Sequence, residues 1–137
     1  MAKIDAGEIW ALNYRLLMSA IAAASPAIEA LGVETKALFV LAEIDAHPYP
    51  AELAQALNMP KATVTLYVKR LEAADHLRRE IDPADKRKHR LKLTPSGRAT
   101  MRQGMNNVAR AFEPYLERLS LRERQALKNS LQRMVQS

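Results

Sequence analysis

The feature that most restricts how this chain can fold is the placement of apolar and small residues between Pro50 and Leu71. A proline opens a segment that reads as a two-turn helix ending at Leu57. Asn58 and Met59 follow, and a second helix is predicted from Pro60 or Lys61 to Ala74. Leu53, Leu57, Met59, Val64 and Tyr67 are apolar where two short helices crossing at a tight turn must touch. Ala54 is small where their backbones approach, and Asn58 can take the left-handed conformation the turn needs. These conditions together describe a helix-turn-helix.

On a wheel of 100° per residue the second helix turns Val64, Tyr67, Val68 and Leu71 to one side. The opposite side presents Ala62, Leu66, Lys69 and Ala73, flanked by Lys61, Thr65 and Arg70. Small and hydroxylated residues let a helix sit deep in a major groove, while lysine and arginine reach bases or flanking phosphates. Leu66 has two readings, a lone exposed leucine or an apolar contact with a thymine methyl, and the sequence leaves both open.

Leu77 to Ile81 and His89 to Leu93 alternate as two antiparallel strands, with Leu77, Ile81, Leu91 and Leu93 expected toward the core and Arg90 and Lys92 outward. The loop between them, Asp82 to Lys88, carries Lys86, Arg87 and Lys88. A solvated hairpin tip would explain that run, and so would a flexible wing reaching an adjacent minor groove. Charge distribution favours the second reading. Residues 61–98 hold eleven Lys and Arg against five acids, whereas the remainder of the chain has ten of each. A positive surplus confined to one window is the footprint of a polyanion surface, and double-stranded DNA is the expected partner.

The flanking segments are helical and neutral. Residues 5–24 are apolar nearly all round, through Ile9, Trp10, Leu12, Tyr14, Leu16, Leu17, Met18 and Ile21, which suggests one face on the chain's own core and another on a second copy. A kink or restart is expected at Ser25-Pro26 and a stop at Gly32. A helix from Glu34 to Ile44 follows, broken by His47, Pro48, Tyr49 and Pro50. Thr94-Pro95 opens a further helix with a kink or break expected near Pro114, and Ser120 to Glu123 is a capping box for a last helix with Leu127, Leu131, Met134 and Val135 inward. The expected fold is mainly α: one domain over 1–137, with a winged helix-turn-helix lobe at 34–94 and helical dimerisation regions at 1–31 and 95–137.

Several chemistries are disfavoured. The chain has no cysteine, hence no disulfide, thiolate metal site or thiol switch. The acidic start MAKIDAGEIW argues against a secretory leader and no apolar run reaches bilayer length, so a cytoplasmic location without membrane association is expected. There is no HExxH, GxSxG or phosphate-cradling glycine loop, so no enzyme and no cofactor is expected. Glu43, Asp45 and His47 could offer metal ligands only from an extended segment and read as surface charge at a helix end. His76 and His89 flank the wing and read as structural or phosphate-facing, so no metal site is expected.

From about Leu31 to Arg98 the chain resembles the multiple-antibiotic-resistance regulator (MarR) family of bacterial transcription factors. The resemblance is carried by AELAQALNM, KATVTLYVKRLE and LRREIDPADKRKHRLKLTPSG, the last holding an Asp-Pro-x-Asp-x-Arg wing followed by Leu-Thr-x-x-Gly. It implies a triangular homodimer whose terminal helices form the base and whose two winged lobes straddle a pseudo-palindromic operator. It also implies that Arg87 enters the minor groove at the wing tip, with Asp85 holding the wing in shape by pairing with a nearby base such as an arginine. The expected DNA contacts are Lys61, Ala62, Thr63, Thr65, Leu66, Lys69, Arg70, Arg78, Asp85, Lys86, Arg87, Lys88 and Arg90. Small-molecule effectors are common in the resembled family, and Tyr14, Met18, Phe39, Met101 and Met105 would line a cleft between base and lobe. Three positions depart from the pattern: Leu66 where arginine is frequent, Asp75 where glycine commonly ends the helix, and Pro60 in place of a polar cap. The implied function is a repressor relieved by a ligand. The alternative is a winged-helix interaction module whose basic face meets an acidic protein.

Overall fold

The computed structural model describes residues 3–136. Its elements are α1 (Ala6–Glu29), α2 (Thr35–Glu43), α3 (Pro50–Leu57), α4 (Lys61–Ala73), β1 (Leu77–Ile81), β2 (His89–Leu93), α5 (Pro95–Leu116) and α6 (Leu121–Val135). The chain is mainly helical, and the two strands form one antiparallel hairpin in which Leu77 faces Leu93 and Ile81 faces His89.

Local chemistry fixes most of the boundaries. Asp5 caps α1 by accepting from the Gly7 N–H at 2.9 Å, and Thr94 caps α5 by accepting from Gly97 at 2.9 Å. Ser120 and Glu123 cap α6 reciprocally. α3 ends on Asn58 in the left-handed region, at φ 52° and ψ 41°, as the tight turn requires, and α4 is followed by Asp75 at φ 61°.

Neither internal proline ends its helix. α1 runs through Pro26 and α5 through Pro114, so of the kink, restart or break that proline suggests, neither the restart nor the break occurs. At Pro26 the lost hydrogen bond is outweighed by packing, because Ala24 and Ile28 on either side are fully buried and the preceding Ser25 hydroxyl bonds the Ile21 carbonyl at 2.7 Å. The chain turns instead at Gly32, where φ is +82°.

The core lies where α2, α3, α4 and the hairpin meet, built on Leu38, Leu41, Ile44, Leu53, Val64, Val68 and Leu71, with Leu77, Leu91 and Leu93 beneath. α5 packs on α1 and α2, so the winged lobe is mounted on the long helices. Two expectations about burial fail. Ile81 is 61% exposed, because the hairpin runs past the helices and its far end has no core to face. No residue of α6 is buried in the single chain: Leu131, Met134 and Val135 are exposed, as are Ile9, Trp10, Leu12, Tyr14, Leu17 and Met18 on α1. No helix of the described residues is long and apolar enough to cross a membrane.

Candidate nucleic-acid interface

α4 is anchored by Val64, Val68 and Leu71, which are fully buried. That anchoring turns Lys61, Ala62, Leu66, Lys69 and Arg70 to solvent, with Thr63 and Thr65 half-buried beside them. Leu66 is 47% exposed and unpartnered by the core, consistent with either of its readings. The Thr65 hydroxyl donates to the Lys61 carbonyl at 2.9 Å, leaving its oxygen free to accept. Arg70 is not free: it pairs with Glu34 at 3.0 Å and lies over the Tyr67 ring.

The wing holds its arginine through a local turn. Asp85 accepts from the backbone N–H of Arg87 at 3.1 Å and from its guanidinium at 3.2 and 3.4 Å. The Asp85 carboxyl is pulled below the ordinary carboxylate range, first by the side-chain bond from Arg87 and then by that residue's backbone N–H. Arg87 itself is 90% exposed at the side chain. Asp85 and Arg87 are thus paired within the wing tip. On the outer face of the hairpin Glu80 gathers Arg78 at 3.3 Å, Lys92 at 3.7 Å and Arg90 at 3.9 Å, which partly neutralises two of the expected contacts. Lys61, Lys69, Lys86 and Lys88 form no ion pair among the described residues, so they are the cations most available to phosphate.

Sequence reasoning missed the groups that moor the wing. The Tyr49 hydroxyl donates to Asp82, whose other oxygen accepts from the Ala84 N–H at 2.8 Å. That bond lowers the Asp82 carboxyl and raises the Tyr49 phenol. The available signal was an aromatic held between two prolines, Pro48 and Pro50. Asp45 is also committed, to Arg98 at 2.8 and 3.2 Å, and no metal-binding cluster occurs among the described residues.

The five residues expected to line an effector cleft are not brought together. A mostly apolar cavity of about 310 Å³ lies between α1, α5 and α6, and of the five only Phe39 lines it, with Leu16, Leu17, Ala20, Ile21 and Phe112. Tyr14 and Met18 lie one step round α1 and are exposed. Met101 packs on the core, and Met105 is partly exposed. A second cavity of about 480 Å³ opens between α3, α4 and the wing, lined by Tyr49, Glu52, Lys61, Thr65, Arg79 and Lys88 among others.

A helix-turn-helix followed by a basic hairpin, carried on long terminal helices, defines a winged helix-turn-helix protein. Residues 31–88 match the model of the MarR family. The chain's fold is that of the family's transcription regulators. It is similar to wild-type MarR from E. coli, with a TM-score of 0.78 at 22% identity over 98% of this chain and 100% of that one. It is also similar to a MarR transcriptional regulator from Methanosarcina mazei, with a TM-score of 0.82 at 20% identity over 93% of this chain and 94% of that one. A MarR family protein of Mycobacterium tuberculosis, solved in complex with DNA, gives a TM-score of 0.76 at 22% identity over 98% and 100% of the two chains. The same protein solved with p-aminosalicylic acid gives 0.77 at 22% identity over 97% and 100%. No curated protein matches the sequence.

Proposed function

We propose that this protein is a homodimeric regulator that binds a pseudo-palindromic stretch of double-stranded DNA and represses by occupying a promoter. The observation that carries the reading is the arrangement of α4 and the wing: an exposed face of small, hydroxylated and cationic residues stands beside an outstretched Arg87 whose own backbone turn holds it. Such a surface can place Thr65, Leu66 and Lys69 in a major groove and Arg87 in the neighbouring minor groove. The mycobacterial relative in complex with DNA supports it.

Dimerisation is supported by the exposed apolar residues of α1 and α6, which a soluble monomer rarely presents together. Release by a small molecule is supported by the apolar cavity at Phe39 and by the relative holding p-aminosalicylic acid. Selection of bound sequences from a random duplex library tests the proposal. A two-fold motif with half-sites about one helical turn apart is expected, and no complex with any duplex at micromolar protein and low salt would leave the acidic-partner reading in its place.

A further inference from the structure

We propose that Tyr49 and Asp82 form a latch that sets how far the wing stands from α4, making them positioning residues for contact with two grooves at once. The proposal rests on the DNA-binding reading above. Tyr49 is the residue immediately before α3, and Asp82 the one immediately after β1. They lie 33 positions apart in sequence, yet the phenol donates directly to the carboxylate.

The latch is built rather than incidental. Asp82 is only 6% exposed, and a carboxylate so covered is tolerated when its oxygens are hydrogen-bonded. One oxygen is taken by Tyr49 and the other by the Ala84 N–H. Beside it the Leu91 N–H donates to the Pro48 carbonyl at 2.8 Å, so the segment before α3 is tied to β2 as well. Lys88 lies 5.8 Å over the Tyr49 ring, covering it from the wing side. Beyond Asp82 the hydrogen bonds of the tip, among the described residues, are all within 82–88. The Tyr49 bond is therefore the outermost one joining the hairpin to the helices. Because α3 and α4 pack on one another through the tight turn, holding the wing on Tyr49 holds it in register with α4.

A wing fixed in this way presents Arg87 before DNA arrives, and loosening it adds an ordering penalty to binding. Tyr49→Phe keeps the ring and removes the bond. It is expected to weaken operator binding about tenfold, with most of that loss absent when Arg87→Ala is already in place. It is also expected to speed amide exchange at residues 82–90 in the free protein while leaving exchange in α2 unchanged. Asp82→Asn serves as the second variant should Tyr49→Phe fold poorly. Wild-type-like affinity for Tyr49→Phe, or a loss fully additive with Arg87→Ala, overturns the latch alone. Failure of the wild-type protein to bind any duplex overturns the DNA-binding reading and this use of the latch with it.

Discussion

Gly97 lies so close to the backbone of His76 that a Cβ on residue 97 would stand 1.7 Å from the His76 carbonyl oxygen. That oxygen also accepts from the Thr94 N–H at 3.1 Å, while the Thr94 hydroxyl donates to the Asp75 carbonyl at 2.6 Å and accepts from Gly97. One knot thus joins the end of α4, the start of β1, the end of β2 and the start of α5, which gives the Leu-Thr-x-x-Gly run at 93–97 its physical reason. Gly97→Ala must push backbone against backbone, and a loss of about 3 kcal/mol is expected in chemical denaturation. A variant as stable as the parent would mean that α5 can shift at no cost.

Arg87→Ala should weaken operator binding by about 1–3 kcal/mol, because the guanidinium is exposed and pre-oriented by its own turn. The fold should be untouched, since the side chain packs on nothing but Asp85. Titration of a labelled operator at fixed salt reads the effect, and an unchanged isotherm removes the wing tip from the interface.

Glu34 restrains Arg70 on the face of α4. Both side chains are more than half exposed, so the pair contributes at most about 1 kcal/mol to stability. Glu34 makes no capping bond to α2, so Glu34→Gln should leave the melting temperature nearly unchanged. It should also strengthen binding at low salt and steepen the salt dependence by about one phosphate contact. An unaltered slope would place Arg70 away from the DNA.

What the sequence disclosed was local in origin. Pro50, Asn58 and Ser120 act on their own few residues, and the turn and caps they predict are present. Alternation correctly assigns Leu77, Leu91 and Leu93 to the buried face, but it cannot say where the core ends, so Ile81 was misplaced. Pro26, between the buried Ala24 and Ile28, shows tertiary packing overriding a local rule. The Tyr49–Asp82 bond and the Asp45–Arg98 pair join residues 33 and 53 positions apart, a distance over which no periodicity carries information. For the same reason the methionine and aromatic residues that look like a cleft on paper divide in space between core, cavity and open surface.

The wing should loosen at both ends of the pH scale. Asp82 and Asp85 are held below the ordinary carboxylate value of 3.8, so their contribution to stability is present above that value and lost as pH falls through their lowered folded values. Tyr49 is raised above 10.0, so its contribution is present below that value and lost as pH rises through the folded one. Amide exchange at residues 82–88, corrected for its intrinsic pH dependence, is expected to show protection that falls below about pH 4 before the core opens. Protection unchanged between pH 6 and pH 3 would show that neither carboxylate holds the wing.

Trp10 offers a direct view of self-association, because it is the only tryptophan and is 62% exposed in the single chain. It lies one turn from Tyr14 on the same face of α1, the two rings tilted with centroids 6.1 Å apart. If that face meets a second copy, emission at micromolar protein should be that of a buried indole and should move toward the solvent-exposed wavelength on dilution. Met134→Glu, a charge placed on an exposed apolar face of α6, should bring the shift to higher protein concentration. A dimer with two lobes engages both half-sites of an operator, whereas the dissociated variant engages one and should lose affinity for the full site far more than for a single half-site. Emission independent of concentration in both proteins, with sedimentation at the mass of one chain, would remove α1 and α6 as the joining surface.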